Sequence, residues 1–171
     1  MKACYSLKYT LVFLFFFSFG NNDAQIVRIL IEVGELRHEF GDYSGAIDAY
    51  SLAIELNPTA FAYNSRGMSR SASGDEEGAI SDFNRSIEID DKYLPAYLNR
   101  AASKYNLEDF YGAIDDYGYV IEMDPENAIG WYGRGVSQIQ IKYFIGACED
   151  LGKAVELGLG FAGELIQEHC R

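Results

Sequence analysis

One string of residues returns along this chain at a nearly constant step, and that recurrence limits the possible folds more than any total can. GDYSGAIDAYSLAIELNP (Gly41–Pro58) comes back as GDEEGAISDFNRSIEID (Gly74–Asp90), as EDFYGAIDDYGYVIEMDP (Glu108–Pro125) and, worn, as KYFIGACEDLGKAVELG (Lys142–Gly158). Aligned on Ala46, Ala79, Ala113 and Ala147, the copies step by 33, 34 and 34 residues. Gly34, Gly67, Ala101 and Gly135 keep the same steps, and the aromatic series Tyr63, Tyr97, Trp131 keeps 34. A domain with one unique core has no use for a period; an array of stacked units does.

Each copy holds two amphipathic stretches. In the second of them the apolar residues recur at helical spacing, as in Ala46, Ile47, Tyr50, Ala53 and Ile54, or Ala113, Ile114, Tyr117, Val120 and Ile121. Asp42, Asp75 with Glu76, and Asp109 stand where these helices begin, where an acid satisfies free backbone N–H groups and the helix dipole. Asn57-Pro58, Asp90-Asp91 and Asp124-Pro125 mark their ends. One helix pair cannot cover its own apolar face, whereas stacked pairs cover one another. Small residues at 34/46, 67/79, 101/113 and 135/147 let the two helices approach, with Tyr50, Phe83 and Tyr117 filling the space between neighbours.

The charge is -12, with no cluster of Lys or Arg. Such a surface repels phosphate backbones and argues against nucleic acid as a partner. At the start of the chain Lys2 and Lys8 precede or border a greasy run, Leu11–Phe19, followed at once by GNNDAQ. A basic start, a short apolar middle and small residues at a cut form the layout of a secretory signal peptide. We assign residues 1–24 to it, with cleavage after Ala24 preferred over cleavage after Gly20. The run is about half the ~20 residues a membrane-spanning helix needs, so no stable span is expected once it is removed. Cys4 precedes the run and is not placed as a lipoprotein acylation site.

Copies two to four carry an arginine just before the first small landmark (Arg66, Arg100, Arg134) and an aspartate sixteen residues later (Asp82, Asp116, Asp150). Copy one has neither, holding Val33 and Ala49 instead. Gain and loss together predict partly buried bridges, Arg66–Asp82, Arg100–Asp116 and Arg134–Asp150, since a buried charge is usually paired. An arginine ladder for acidic ligands is the competing functional reading. No catalytic set stands out. His38 and His169 fall in the first and last helices, without metal-ligand spacing. No GxxxxGK[ST] phosphate loop occurs. Asp115–Asp116 and Glu76–Glu77 read as solvated helix faces rather than glycosidase carboxylates. We therefore expect no enzyme activity, no metal and no cofactor.

These landmarks resemble the tetratricopeptide repeat family, whose 34-residue pattern runs aromatic, Leu-Gly, aromatic, small, aromatic, Ala, Pro. Copy one matches with Leu30, Gly34, Ala46, Tyr50, Ala53 and Pro58; copy two with Tyr63, Gly67, Ala79 and Phe83, but Asp91 in place of the proline. Copy three matches with Tyr97, Ala101, Ala113, Tyr117, Val120 and Pro125; copy four with Trp131, Gly135, Ala147, Leu151 and Ala154. The resemblance covers residues 26–158 and implies an all-α fold: a right-handed α-solenoid of four helix-turn-helix repeats, at about 27–59, 60–93, 94–127 and 128–159. Residues 160–171 then read as a capping helix, with Phe161, Leu165 and Ile166 over the last pair and Glu164, Gln167 and Glu168 in water. If that helix runs antiparallel to the one before it, Cys148 and Cys170 face each other. An oxidising compartment would let them join, against the alternative of a buried Cys148 and a free terminal thiol.

In that family the first helices line a concave groove that holds peptides or helices. Carried over, the groove-facing positions are Glu35, His38, Asn64, Met68, Leu98, Asn99, Tyr105, Tyr132 and Val136. The places of the clamp that some members use for a peptide's C-terminal carboxylate hold Ile31, Glu35, Ser65, Pro95 and Asn99, so that clamp is essentially missing. The function expected is a non-catalytic interaction scaffold, periplasmic or secreted, for a protein or peptide partner whose identity the residues do not disclose. Self-association through Tyr132, Ile139, Ile141 and Tyr143 is the second reading, and it leaves the oligomeric state open.

Overall fold

The computed structural model describes residues 23–170. The leader features at Lys2, Cys4, Lys8 and Leu11–Phe19 lie outside the described residues. Within them there is no strand, and nine helices follow one another: α1 (23–39), α2 (Tyr43–Leu56), α3 (Ala60–Ala72), α4 (Glu76–Ile89), α5 (Leu94–Asn106), α6 (Phe110–Met123), α7 (Ala128–Gln140), α8 (Phe144–Glu156) and α9 (Ala162–His169). From α2 onward each helix packs on the next, and α3 with α5 and α5 with α7 touch directly. The result is an all-α helical repeat in which contacts run between neighbours along a row.

Local chemistry sets where the helices begin. Asp42, Asp75 and Asp109 each accept a hydrogen bond at 3.0 Å from the backbone N–H three residues on, at Gly45, Gly78 and Gly112. The fourth copy has Tyr143 at this position, and α8 starts without a side-chain cap. Thr59 and Asn127 cap α3 and α7, while α5 has no side-chain cap and opens with Pro95 in its first turn. The turn inside each pair needs one residue with positive φ. Gly41 and Gly74 supply it in the first two pairs, at 77° and 89°. Glu108 and Lys142 hold it in the next two, both at 63°, without glycine's freedom.

Close approach of paired helices explains the small landmarks. A Cβ on Gly34 would lie 2.6 Å from a ring carbon of Tyr50, and one on Gly67 2.6 Å from Phe83. Each of these rings thus lies flat on the first helix of its own pair. The third pair has Ala101 there; Tyr117 packs with it and also lies over Gly133 of α7, in the next pair. Tyr50 and Phe83 face the next pair as well: Tyr50 lines a cleft with Phe61, Asn64 and Ser65 of α3, and Phe83 one with Asn99 and Ala102 of α5. Phe83, Val120 and Leu151 are fully buried, each burial contributing about 1.5–3 kcal/mol.

At the end of the row, α9 lays Ala162, Leu165 and Ile166 on a cluster with Leu151, Ala154, Trp131 and Ile139. Glu164, Gln167 and Glu168 face solvent. Phe161 gives less cover than expected: it precedes the helix and stays 57% exposed, meeting Tyr132 of the last pair edge to face with ring centroids 5.1 Å apart. Cys148 and Cys170 are joined by a disulfide across Cα atoms 5.8 Å apart, tying α9 to α8. His169 stacks on Phe144.

Candidate functional site: the groove along the first helices

The first helices of the pairs present a continuous face, and its polar groups are held from below by arginines. Arg66 donates to both oxygens of Asp82, at 2.9 Å from Nε and 2.6 Å from Nη2. Arg100 does the same to Asp116, at 2.9 and 2.6 Å, and Arg134 to Asp150, at 2.7 and 2.8 Å. All three aspartates are buried, and two-pronged geometry of this kind is what makes a buried pair tolerable. Each arginine also stacks over the aromatic landmark three residues before it, Tyr63, Tyr97 or Trp131, at 5.5, 5.3 and 5.0 Å from the ring centre. Asp82 hydrogen bonding and then its charge hold the Arg66 guanidinium above its ordinary range; Asp150 does so for Arg134.

A second cation, which the sequence reading missed, completes two of these sites. Arg70 reaches Asp82 at 3.1 Å and Lys104 reaches Asp116 at 2.8 Å. Their 34-residue spacing was the available signal. The fourth pair has Gln138 in register, and its buried Oε1 has no hydrogen-bond partner among the described residues.

The consequence for the groove is electrostatic. Among the described residues every Arg and Lys of α1, α3, α5 and α7 is engaged in an ion pair: Arg28, Arg37, Arg66, Arg70, Arg100, Lys104 and Arg134. No arginine ladder is left free for an acidic ligand.

A cleft of about 270 Å³ opens between α1 and α3 over Tyr50. Phe61, Tyr50 and Met68 supply its apolar walls, Glu35 and Glu39 its acids, and His38, Asn64 and Ser65 its neutral polar groups. Burial, then the Glu35 charge, push the Tyr50 hydroxyl up to about 12. A second depression of about 240 Å³ continues past His38 and Met68 to Asn99 and Ala102. The two share His38 and Met68, so they form one track across α1, α3 and α5.

Amides line that track. Asn99 donates to Asn64 Oδ1 at 2.9 Å, and Asn64 in turn has only the Met68 sulfur, at 3.5 Å, as acceptor for its own NH2. A thioether is a weak acceptor, so a 4%-exposed amide stands with donor capacity to spare. His38 Nδ1 lies 2.9 Å from Ser69 Oγ, whose hydroxyl donates to the Ser65 carbonyl at 3.1 Å. The hydroxyl's one proton being used, His38 donates from Nδ1, and Nε2 is the acceptor of the neutral ring.

Of the nine positions assigned to the groove, Glu35, His38, Asn64, Met68 and Asn99 line these depressions. Leu98 and Tyr105 are half-buried against Ala101, Ala113 and Tyr117, and Tyr105 also accepts from Gln140. Tyr132 and Val136 are likewise half-buried, packed against the cluster that α9 closes. Ile139 joins the same cluster and leaves the exposed set, while Tyr143 is 53% exposed. Among the described residues no group of three His, Cys, Asp or Glu side chains is arranged to hold a metal, and no helix is long and apolar enough to cross a membrane.

A family model described as tetratricopeptide repeat matches residues 27–59 and 62–93. Serine/threonine-protein phosphatase 5 of Homo sapiens is 43% identical over 61 residues, 35% of this chain and 12% of that protein. The chain thus spans about an eighth of the length of that curated relative. Among solved structures, the crystal structure of MamA superposes with a TM-score of 0.74 at 21% identity, covering 81% of this chain and 76% of that one. The first TPR of Spaghetti (RPAP3), solved bound to the HSP90 peptide SRMEEVD, superposes with a TM-score of 0.66 at 24% identity over 68% of this chain and 94% of that one.

Proposed function

This chain belongs to the tetratricopeptide repeat proteins, and from that premise we propose that it is a non-catalytic scaffold which holds a peptide or protein segment in the concave groove along α1, α3, α5 and α7. The observation that carries the reading is the track shared by His38 and Met68, with apolar walls and a buried amide, Asn64, whose NH2 lacks a strong acceptor. An extended backbone brings carbonyls and N–H groups at about 3.3 Å per residue, which suits such amides. The Spaghetti structure, with its bound peptide, supports a groove occupied in this way.

The reading extends to an exported, periplasmic or secreted protein. The basic residues and apolar run before residue 20 support export, and a disulfide between Cys148 and Cys170 is of the kind that persists in oxidising compartments.

Photo-crosslinking tests the groove. A crosslinking residue placed at Met68 or Asn99 captures the partner in the native host, while one at Asp48 or Asp115, exposed on α2 and α6, does not. Equal capture at both faces removes the groove from the reading.

Self-association stands as a second reading on one observation. Tyr143, Phe144 and Ile145, consecutive at the start of α8, are 53%, 41% and 74% exposed. Sedimentation over a concentration range distinguishes it, a monomer throughout ending the idea.

A further inference from the structure

The cleft between α1 and α3 has unbalanced charge, and the imbalance names its occupant. Glu35 and Glu39 stand one helical turn apart on α1, both line the cleft, and both are solvent-exposed. Among the described residues neither enters an ion pair, although every cation on the four first helices does. Beside them lie apolar walls from Tyr50, Phe61 and Met68, the last two each 40% exposed. His38 offers an acceptor nitrogen in its neutral form, and Asn64 an amide with a weakly used donor. Anionic, acceptor and apolar groups side by side complement a cationic side chain next to an apolar one. No free cation on this face complements an acid, since Arg66, Arg70 and Arg100 are spent on Asp82 and Asp116.

We propose that the groove selects an extended basic peptide, with a Lys or Arg side chain placed between Glu35 and Glu39 and a neighbouring apolar side chain against Phe61 and Met68. The proposal rests on the groove reading above and adds the sign of its partner's charge. It is opposite to that of the acidic peptide SRMEEVD carried by the similar Spaghetti repeat. With helices about 9 Å apart, the track across α1, α3 and α5 accommodates about six extended residues.

The test pans a library of short random peptides on the purified, oxidised protein, then measures the selected sequences by fluorescence anisotropy. Enrichment of Lys and Arg beside apolar residues is expected, with about tenfold weaker binding to the Glu35→Lys, Glu39→Lys double variant. A charge-matched control, Asp48→Lys with Asp115→Lys on the other helices, leaves binding unchanged. All four positions are exposed, so each variant keeps its fold, which circular dichroism checks. If the control weakens binding as much as the double variant, the attraction comes from the overall charge and the proposed site is wrong. Enrichment of Asp and Glu overturns the charge assignment and leaves the groove reading standing. No enrichment, or binding that Met68→Trp does not block, overturns the groove reading itself.

Discussion

Arg100 Nη1 donates to Asn84 Oδ1 at 2.6 Å and so ties the third helix pair to the second, while its other nitrogens hold Asp116. Arg66 makes the matching bond to Ser51 Oγ at 3.1 Å. These arginines each join three helices, which a contact inside one pair would not do. For Arg134 of the fourth pair the position in register, on α6 of the third, is Gly118, where a Cβ would sit 3.8 Å from Arg134 Nη1. There is room for a side chain and a donor awaiting one.

Gly118→Asn is therefore expected to stabilise the protein by about 1 kcal/mol, from a few tenths of helix propensity plus one hydrogen bond from a charged donor. Gly118→Ala isolates the propensity part and is intrinsically the better helix former. Urea unfolding of the two variants decides the matter. If the alanine variant is the more stable by the full propensity difference, no bond to Arg134 has formed.

The turn at Glu108 offers a second gain. Its φ of 63° is one that Gly41 and Gly74 adopt freely in the earlier pairs. Holding a residue with a Cβ there costs about 1 kcal/mol, part of which glycine returns as chain entropy. Glu108→Gly should raise stability by about 0.5 kcal/mol, and Gly74→Ala should lower it by about 1 kcal/mol. Thermal melts of both give the sign. A destabilised Glu108→Gly would mean that the glutamate makes a contact worth more than the strain.

What the sequence disclosed follows from how locally each feature is written. The pairing of Arg66 with Asp82 could be read because both vanish together from the first copy, leaving Val33 and Ala49. Arg70 and Lys104 were equally periodic, yet their loss in the fourth copy leaves Gln138, a residue whose polarity hides the change. Tyr132 and Val136 stood at groove positions by alignment alone. Their packing against α9 depends on where the chain turns after Gly158, a matter of tertiary packing that no repeat unit encodes.

Tyr117 also makes stability depend on alkaline pH. Burial, with smaller contributions from nearby Tyr105 and Asp116, pushes its hydroxyl up to about 12, whereas an unfolded tyrosine titrates near 10. Below pH ~10 both states keep the proton, and stability is at its full value. Between about 10 and 12 the unfolded chain loses its proton first, so stability falls as pH rises, by about 1.4 kcal/mol per pH unit. Phe83 holds the equivalent place in the second pair, so the ring without its hydroxyl fits this architecture. Tyr117→Phe should flatten the decline in urea-derived stability across that window. An unchanged alkaline slope would show that other groups set it.

The end of the row depends on a single cross-link. Cys148 and Cys170 lie 22 residues apart, and closing a loop of that size removes about 3 kcal/mol of freedom from the unfolded chain. The last element of a stack has one neighbour rather than two, so α9 is the part that opens first. On reduction, amides of Ala162–His169 should exchange faster by up to about a hundredfold, the equivalent of ~3 kcal/mol, while those of α4 and α6 change little. Trp131, in the cluster that α9 covers, should shift its fluorescence as the cap leaves. Cys148→Ser should reproduce both effects without reductant. If α9 keeps its protection in that variant, the packing of Leu165 and Ile166 alone suffices to hold the cap, and the disulfide does not determine its closure.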